Sequence, residues 1–165
     1  MKTARNLLVL TVVGATLVAF RGVPLRAEDK DEIKLTDEEQ KILDLTNKER
    51  AAHDLPPLKL NTTLIKVARA HSANMAKQGK MEHELDGKKP SERVLDAGYD
   101  YETMAENIAA GEDWPTRDVM EGWMKSDKHR ANILDKDVDE IGIGIATDSK
   151  GKKFYTQEFG KEFKK

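Results

Sequence analysis

The chain has 165 residues, with 28 Lys and Arg against 30 Asp and Glu, four His and no cysteine. A mixed, slightly acidic surface excludes the basic face of a nucleic-acid binder, and without cysteine the fold rests on its core rather than on disulfides. The length holds one domain once an N-terminal leader is set aside.

Lys2 and Arg5 open the chain, Leu7 to Phe20 is an apolar run, and small residues lead to Ala27 before the charged run Glu28-Asp-Lys-Asp-Glu32. This is the layout of a secretory signal peptide over 1–27. The alternative, an uncleaved anchor, is disfavoured because a membrane span needs roughly 20 apolar residues. Cleavage near Ala27 is expected, although Leu25 fits the small-residue rule loosely. A charged lead-in (28–36) and one domain (37–165) follow, in an exported protein.

Thr36-Asp-Glu-Glu39 reads as a capping box opening a helix to about Ala52, with Ile42, Leu43, Leu45 and Ala52 inward. Pro56-Pro57 forces an extended crossing. Asn61 is a candidate N-cap for a second helix to about Lys80, whose inner face carries Leu64, Val67, Ala68, His71 and Met75. Residues 81–90 read as loop, Ser91 to Ala97 as a short helix stopped by Gly98, and Asn107 to Ala110 as a strand. Asp113-Trp114-Pro115 begins a helix with Val119, Met120, Trp123 and Met124 inside, and a helix-like run then delivers His129 beside Arg130. Ile141 to Ile145 and Lys153 to Phe159 alternate strictly about an Asp148-Ser-Lys-Gly151 turn, which predicts an antiparallel hairpin. Gly142 and Gly144 leave one strand face bare, either for close helix packing, the favoured reading, or for a ligand. Helices first and antiparallel strands last give an α+β layered domain.

His83, Glu106 and His129 all fall near element ends, where side chains of distant segments can share a polar pocket. Neutral imidazole is a good zinc ligand, and a carboxylate can orient it; the plainer alternative is a metal-free polar cluster pinning a loop and a helix end to a strand. His71 reads as a core histidine satisfied by a backbone carbonyl, and His53 as a partner of terminal helix carbonyls. Asn47 and Arg50 share a helix face. Asn107 and Asn132 read as structural amides, Trp123 as core, and Arg130 as either exposed or paired with an acid beside the cleft. Ser126 lacks a nucleophile-elbow pattern, which weakens a serine-hydrolase reading. Lys88-Lys89 and the tail Lys161 to Lys165 read as solvated surface.

An ordered series of segments resembles the CAP superfamily, or SCP domains, and within it the compact bacterial secreted branch. The matching pieces are Leu45-Thr-Asn-Lys-Glu-Arg50, Leu55-Pro-Pro-Leu58, Ala68 through Met75, His83, Arg93 with Ala97-Gly98-Tyr99, and Ala105-Glu-Asn-Ile108. Trp123 with Ser126, His129-Arg-Ala-Asn-Ile-Leu134, Ile141-Gly-Ile-Gly144 and Tyr155-Thr-Gln-Glu-Phe-Gly160 complete the set. The resemblance implies a three-layer α-β-α sandwich with a central antiparallel sheet and a surface cleft built from two histidines and two acids. His83 and His129 map to the histidines and Glu106 to one acid, while the second acid's place, counted from Trp123, holds Ser126. The tetrad is therefore expected as a triad. It also implies that Asn47 and Arg50 tie down neighbouring loop backbone.

The expected function is that of a secreted, monomeric binding module using its cleft, with no nucleic-acid partner. Its ligand would be a divalent metal such as zinc, a small molecule such as a lipid, or a cell-envelope component. A first alternative is a metal-assisted hydrolase in which His83 and His129 hold the ion and Glu106 is the base, although catalytic zinc usually takes three protein ligands. A second is a non-catalytic envelope interaction domain.

Overall fold

The structure is a computed structural model that describes residues 33–163. The expected signal peptide and most of the charged lead-in lie outside the described residues. Among those residues, no helix is long and apolar enough to cross a membrane.

The chain folds as α1 (Asp37–Ala52), β1 (Lys59–Leu60), α2 (Thr62–Gln78), α3 (Pro90–Asp96), β2 (Tyr101–Glu112), α4 (Thr116–Lys125), α5 (Asp127–Ile133), β3 (Glu140–Thr147) and β4 (Lys152–Glu162). The capping box at Thr36 and Glu39 and the Asn61 cap form as the sequence predicts. Gly79 ends α2 at φ 66°, in the left-handed region that glycine adopts without strain. The predicted strand at 107–110 is the middle of a twelve-residue strand, because pairing with β4 carries β2 well past its apolar centre. The inner face of α1 also differs from expectation. Ala52 is exposed, whereas Thr46 and Arg50 join Ile42 and Leu43 in the interior.

The sheet order is β1-β3-β4-β2. β2, β4 and β3 are antiparallel, as expected, and the two-residue β1 adds a parallel edge to β3, making the sheet mixed. One face packs on α1, α4 and α5 around Ile42, Trp123, Ile141, Ile143, Tyr155 and Phe159. The other packs on α2 and α3, with Leu64, Val94 and Tyr99 in one cluster and Met75, Leu85, Ile108 and Phe154 in another. A helical layer on each sheet face gives the three-layer sandwich.

Two polar residues of α1 hold the irregular segments. Asn47 donates to the Leu58 carbonyl and accepts from the Leu58 N–H at 2.8 Å. Arg50 is buried; its guanidinium donates to the carbonyls of Pro56, Ile133, Asp135 and Val138. Five N–H donors on a rigid fork suit this task, which lysine could not duplicate.

α2 lies directly on the bare strand face. A Cβ on Gly142 would stand 2.0 Å from the Leu64 carbonyl carbon, and one on Gly144 would stand 2.3 Å from that of Ala68. The obstacle is backbone in both cases, so it cannot rotate away; close packing is the reason for the glycines. A Cβ on Gly122, inside α4, would meet nothing within 4 Å. Gly144→Ala is therefore expected to destabilise the domain by about 3 kcal/mol, while Gly122→Ala stabilises it by roughly 0.5–1 kcal/mol through helix propensity. Urea denaturation of the two variants measures both signs.

Candidate functional site

β2 and β4 place Glu106 and Glu158 directly opposite each other. Their side chains share the sheet face covered by α2, and two like charges at that spacing repel. Glu158 is fully buried and Glu106 nearly so. Glu158 has no N–H or hydroxyl donor among the described residues. Burial, followed by the charge and hydrogen bond of Glu106, lifts its carboxyl well above the ordinary range, against the opposing charge of Arg93. Glu158 is therefore the member of the pair that holds a proton more tightly, and Glu106 the one that ionises.

Glu106 titrates the other way. Burial is the largest influence on it and acts to raise its pKa. Hydrogen bonds from His83 and Glu158, with the charges of Arg93 and His71, outweigh burial and hold it below the usual carboxylate value. Arg93 Nη2 donates to Glu106 Oε2 at 2.5 Å and lies 3.8 Å from Glu158 Oε1. Nη1 of the same side chain donates to the carbonyls of His83 and Lys88. One arginine on α3 thus fixes both the carboxylate and the loop that carries His83.

The loop is held elsewhere too. Leu85 is buried, Asp86 and Gly87 turn it at φ 55° and 72°, and the Asp86 carboxylate accepts from Asn74 and Gln78 of α2. His83 Nδ1 meets Glu106 Oε1 at 2.7 Å, while its side chain stays 52% exposed. With Nδ1 as donor, the other ring nitrogen has no hydrogen-bond partner among the described residues. His129 arrives from α5. Its ring is half-buried, and burial, with a smaller contribution from the nearby charge of His83, lowers its pKa. His129 and Ser126 border a hollow of about 260 Å³ whose walls include Met81, Trp114, Val119 and Trp123.

The amides frame this cleft. Asn107 Nδ2 donates to the His129 carbonyl and to Gln157 Oε1, and Asn132 Nδ2 donates to the Glu106 carbonyl and to Asn107 Oδ1. Trp123 is buried, and its Nε1 donates to the Ile108 carbonyl. Arg130 pairs with Asp127 one turn away, outside the cluster. Ser126 joins α4 to α5 and makes no side-chain hydrogen bond in these turns. His53 donates from Nδ1 to the Glu49 carbonyl, and Lys88 pairs with Asp96.

His71 departs from expectation. It is buried, but neither ring nitrogen closes a hydrogen bond, and Nε2 lies 3.7 Å from Glu106 Oε2. Burial lowers its pKa against the attraction of Glu106. It thus borders the polar cluster, with the Glu82 backbone also beside it. Glu158 and Arg93 also belong to the cluster although sequence reasoning left them out of the site. The signals were present: Glu158 shares a strand face with Phe154 and Thr156, and a polar side chain at such an inward position needs a partner.

Zinc fits this donor set poorly. Both Glu106 oxygens are engaged, and among the described residues no three His, Cys, Asp or Glu side chains form a group that could hold a metal ion. His83 and His129 are what remain to meet a cation.

Comparison with known proteins gives a consistent picture. The model of the cysteine-rich secretory protein family (CAP) matches residues 43–159. Bacillus subtilis YkwD is 36% identical over 122 residues, which cover 73% of this chain and 46% of that protein. The B. subtilis membrane protein YlbC is 33% identical over 153 residues, covering 88% of this chain and 42% of its own. The chain thus spans less than half the length of these two relatives. An extracellular SCP-domain protein from Bacillus anthracis superposes with a TM-score of 0.68 at 28% identity, covering 79% of this chain and 45% of that one. An outer surface protein of Borrelia burgdorferi shares the fold, with a TM-score of 0.73 at 21% identity over 79% of this chain and 97% of its own.

The proton on Glu158 has a measurable consequence. A carboxyl whose pKa is raised by folding destabilises the fold increasingly as pH climbs from its unfolded value towards its folded one, because only the unfolded chain gains by ionising. Glu158→Gln keeps the neutral shape and removes this penalty. Relative to wild type, the variant should gain up to about 1.4 kcal/mol per pH unit above roughly pH 4.5. Thermal unfolding from pH 4 to pH 8 checks it, and a constant difference would contradict the assignment.

Proposed function

Because the chain belongs to the cysteine-rich secretory protein (CAP) family, we propose that it is an exported, non-enzymatic binding domain whose cleft takes an organic ligand from the cell envelope or the surrounding medium. The observation that carries this reading is the half-exposed His83 ring, held by the buried Glu106 and set near His129 and an apolar hollow. A fixed polar edge beside an apolar recess is the usual make-up of a small-ligand site. The N-terminal leader read from Lys2 to Ala27 supports export.

Catalysis is disfavoured for a physical reason. Glu106 is buried beneath His83 and Arg93 and Glu158 is wholly buried, so neither carboxyl is open to a substrate. A divalent cation is a secondary occupant. His83 and His129 would hold it, with Glu106 orienting His83 through Nδ1. Two protein ligands make such a site weak.

Titration of the purified exported form with oleate, and separately with zinc chloride, tests the cleft. Saturable binding of either probe should weaken by about tenfold or more in the His83→Ala/His129→Ala double variant, the loss of one good polar contact being worth about 1.4 kcal/mol. Binding that is unchanged in that variant, or no binding of either probe, removes the proposal.

A further inference from the structure

β2 is an outer strand of the sheet, and its backbone groups alternate in direction. The Glu106 and Ile108 carbonyls point away from β4 and are capped by side chains, Asn132 Nδ2 at 3.2 Å and Trp123 Nε1 at 3.1 Å. Ala110 follows in the same phase, so its N–H and C=O also point outwards. Among the described residues neither group has a partner. They open onto the apolar hollow beside His129, which Ala110 helps to line.

The hollow straddles the sheet edge. Met81 stands on one side, and Val119, Trp123 and Trp114 on the other. Trp114 is seated on Gly111, where a Cβ would come within 2.1 Å of the indole, and its ring remains 46% exposed. Just past the hollow, the exposed carboxylates of Glu112 and Asp113 have no ion pair among the described residues.

We propose that an extended peptide segment adds to the outer edge of β2 at Ala110, placing an apolar side chain opposite Gly111 against Trp114 and a cationic side chain towards Glu112 and Asp113. This rests on the binding role argued above and names the class of its ligand. Main-chain hydrogen bonds to an open sheet edge, with alternate side chains read by pockets, are an established way of binding peptides. A lipid tail in the same hollow would cover the Ala110 N–H and C=O without pairing them, which costs roughly 1–3 kcal/mol per buried group. A peptide backbone supplies both partners. The period of a strand then sets the pattern: with the apolar residue opposite Gly111, the residue two places on lies on the same face, beyond the end of β2 near Asp113.

The blocked heptapeptide Ac-Ser-Lys-Thr-Leu-Thr-Lys-Ser-NH2 is a suitable probe for titration into the exported form. Replacing its Leu by Gly, or both Lys by Glu, should weaken binding by about tenfold. N-methylation at alternate amides provides the sharper test. One phase should abolish most of the affinity and the other should be tolerated, because only one set of amides faces β2. On the protein, Ala110→Pro removes the outward N–H at an edge position where proline is accommodated, and should weaken the peptide by about tenfold. Trp114→Ala should erase the preference for Leu over Gly, and Glu112→Lys/Asp113→Lys should reverse the preference for Lys over Glu. Should Ala110→Pro fail to fold, amide exchange in the wild-type protein serves instead: the Ala110 N–H should be protected in saturating peptide. Equal affinity for both N-methylated phases, or an Ala110 amide that exchanges as fast with peptide as without, overturns the proposal. Oleate binding that depends on His83 and His129, found together with no protection of Ala110, overturns the peptide site alone and leaves the cleft reading standing.

Discussion

The ion pair between Arg93 and Glu106 places a permanent positive charge where three distant segments meet: α3, the loop after α2, and the centre of β2. Without it, two carboxyls would face each other across β2 and β4 in the interior, with only the neighbouring histidines to offset the cost of burying a charge. With it, one carboxyl ionises and the other keeps its proton. The ionised one can then hold His83 in a single orientation while most of that ring remains in solvent. Exposure of His83 and burial of Glu106 are thus two ends of one arrangement, in which a charge concealed beneath the surface positions a reactive group upon it.

This arrangement depends on how closely the layers approach. α2 brings His71 against Glu106 because Gly142 and Gly144 let the helix backbone rest on β3. On the opposite face, Arg50 collects four carbonyls from the Pro56 segment, the end of α5 and the approach to β3. That side chain satisfies irregular backbone which would otherwise be buried without partners. The end of α5, and with it the site of His129, is therefore anchored from α1. Asn107 and Asn132 complete the frame by tying α5 to the outer side of β2.

The same outer side of β2 shows two treatments of an exposed sheet edge. Over Glu106 and Ile108, side chains from α5 and α4 cover the carbonyls. At Ala110 the cover stops and an apolar hollow begins. Edge strands invite pairing with another chain, and proteins commonly blunt them. Here the blunting is local, so the unprotected stretch coincides with the one place where apolar walls can receive a side chain.

Local rules written along the chain made much of the fold legible. The capping box at Thr36, the Asn61 cap, the strict alternation of the last two strands and the Asp148–Gly151 turn each depend on neighbours in sequence. So did the glycine pair in β3, whose bare face called for a close-packed helix. The extent of β2 was less legible, since a strand is lengthened by the partner it finds rather than by its own composition. His71 and Glu158 were misplaced or passed over for a related reason. A histidine on an apolar helix face and a glutamate in an alternating strand look alike whether their partners are solvent, a carbonyl or each other.

By itself, then, the sequence determined the elements and their layering, because propensity, capping and periodicity act over a few residues, while the candidacy of His83, Glu106 and His129 rested on the family resemblance of the segments that carry them. Only the tertiary structure decided that Glu106 stands opposite Glu158, that one proton and Arg93 reconcile them, and that the cleft continues into an apolar recess at an open sheet edge. Strand register and helix placement set those relations, and they bring together residues as far apart in the chain as His71 and Glu158, whose electrostatic energies depend on distances of a few ångströms and on burial.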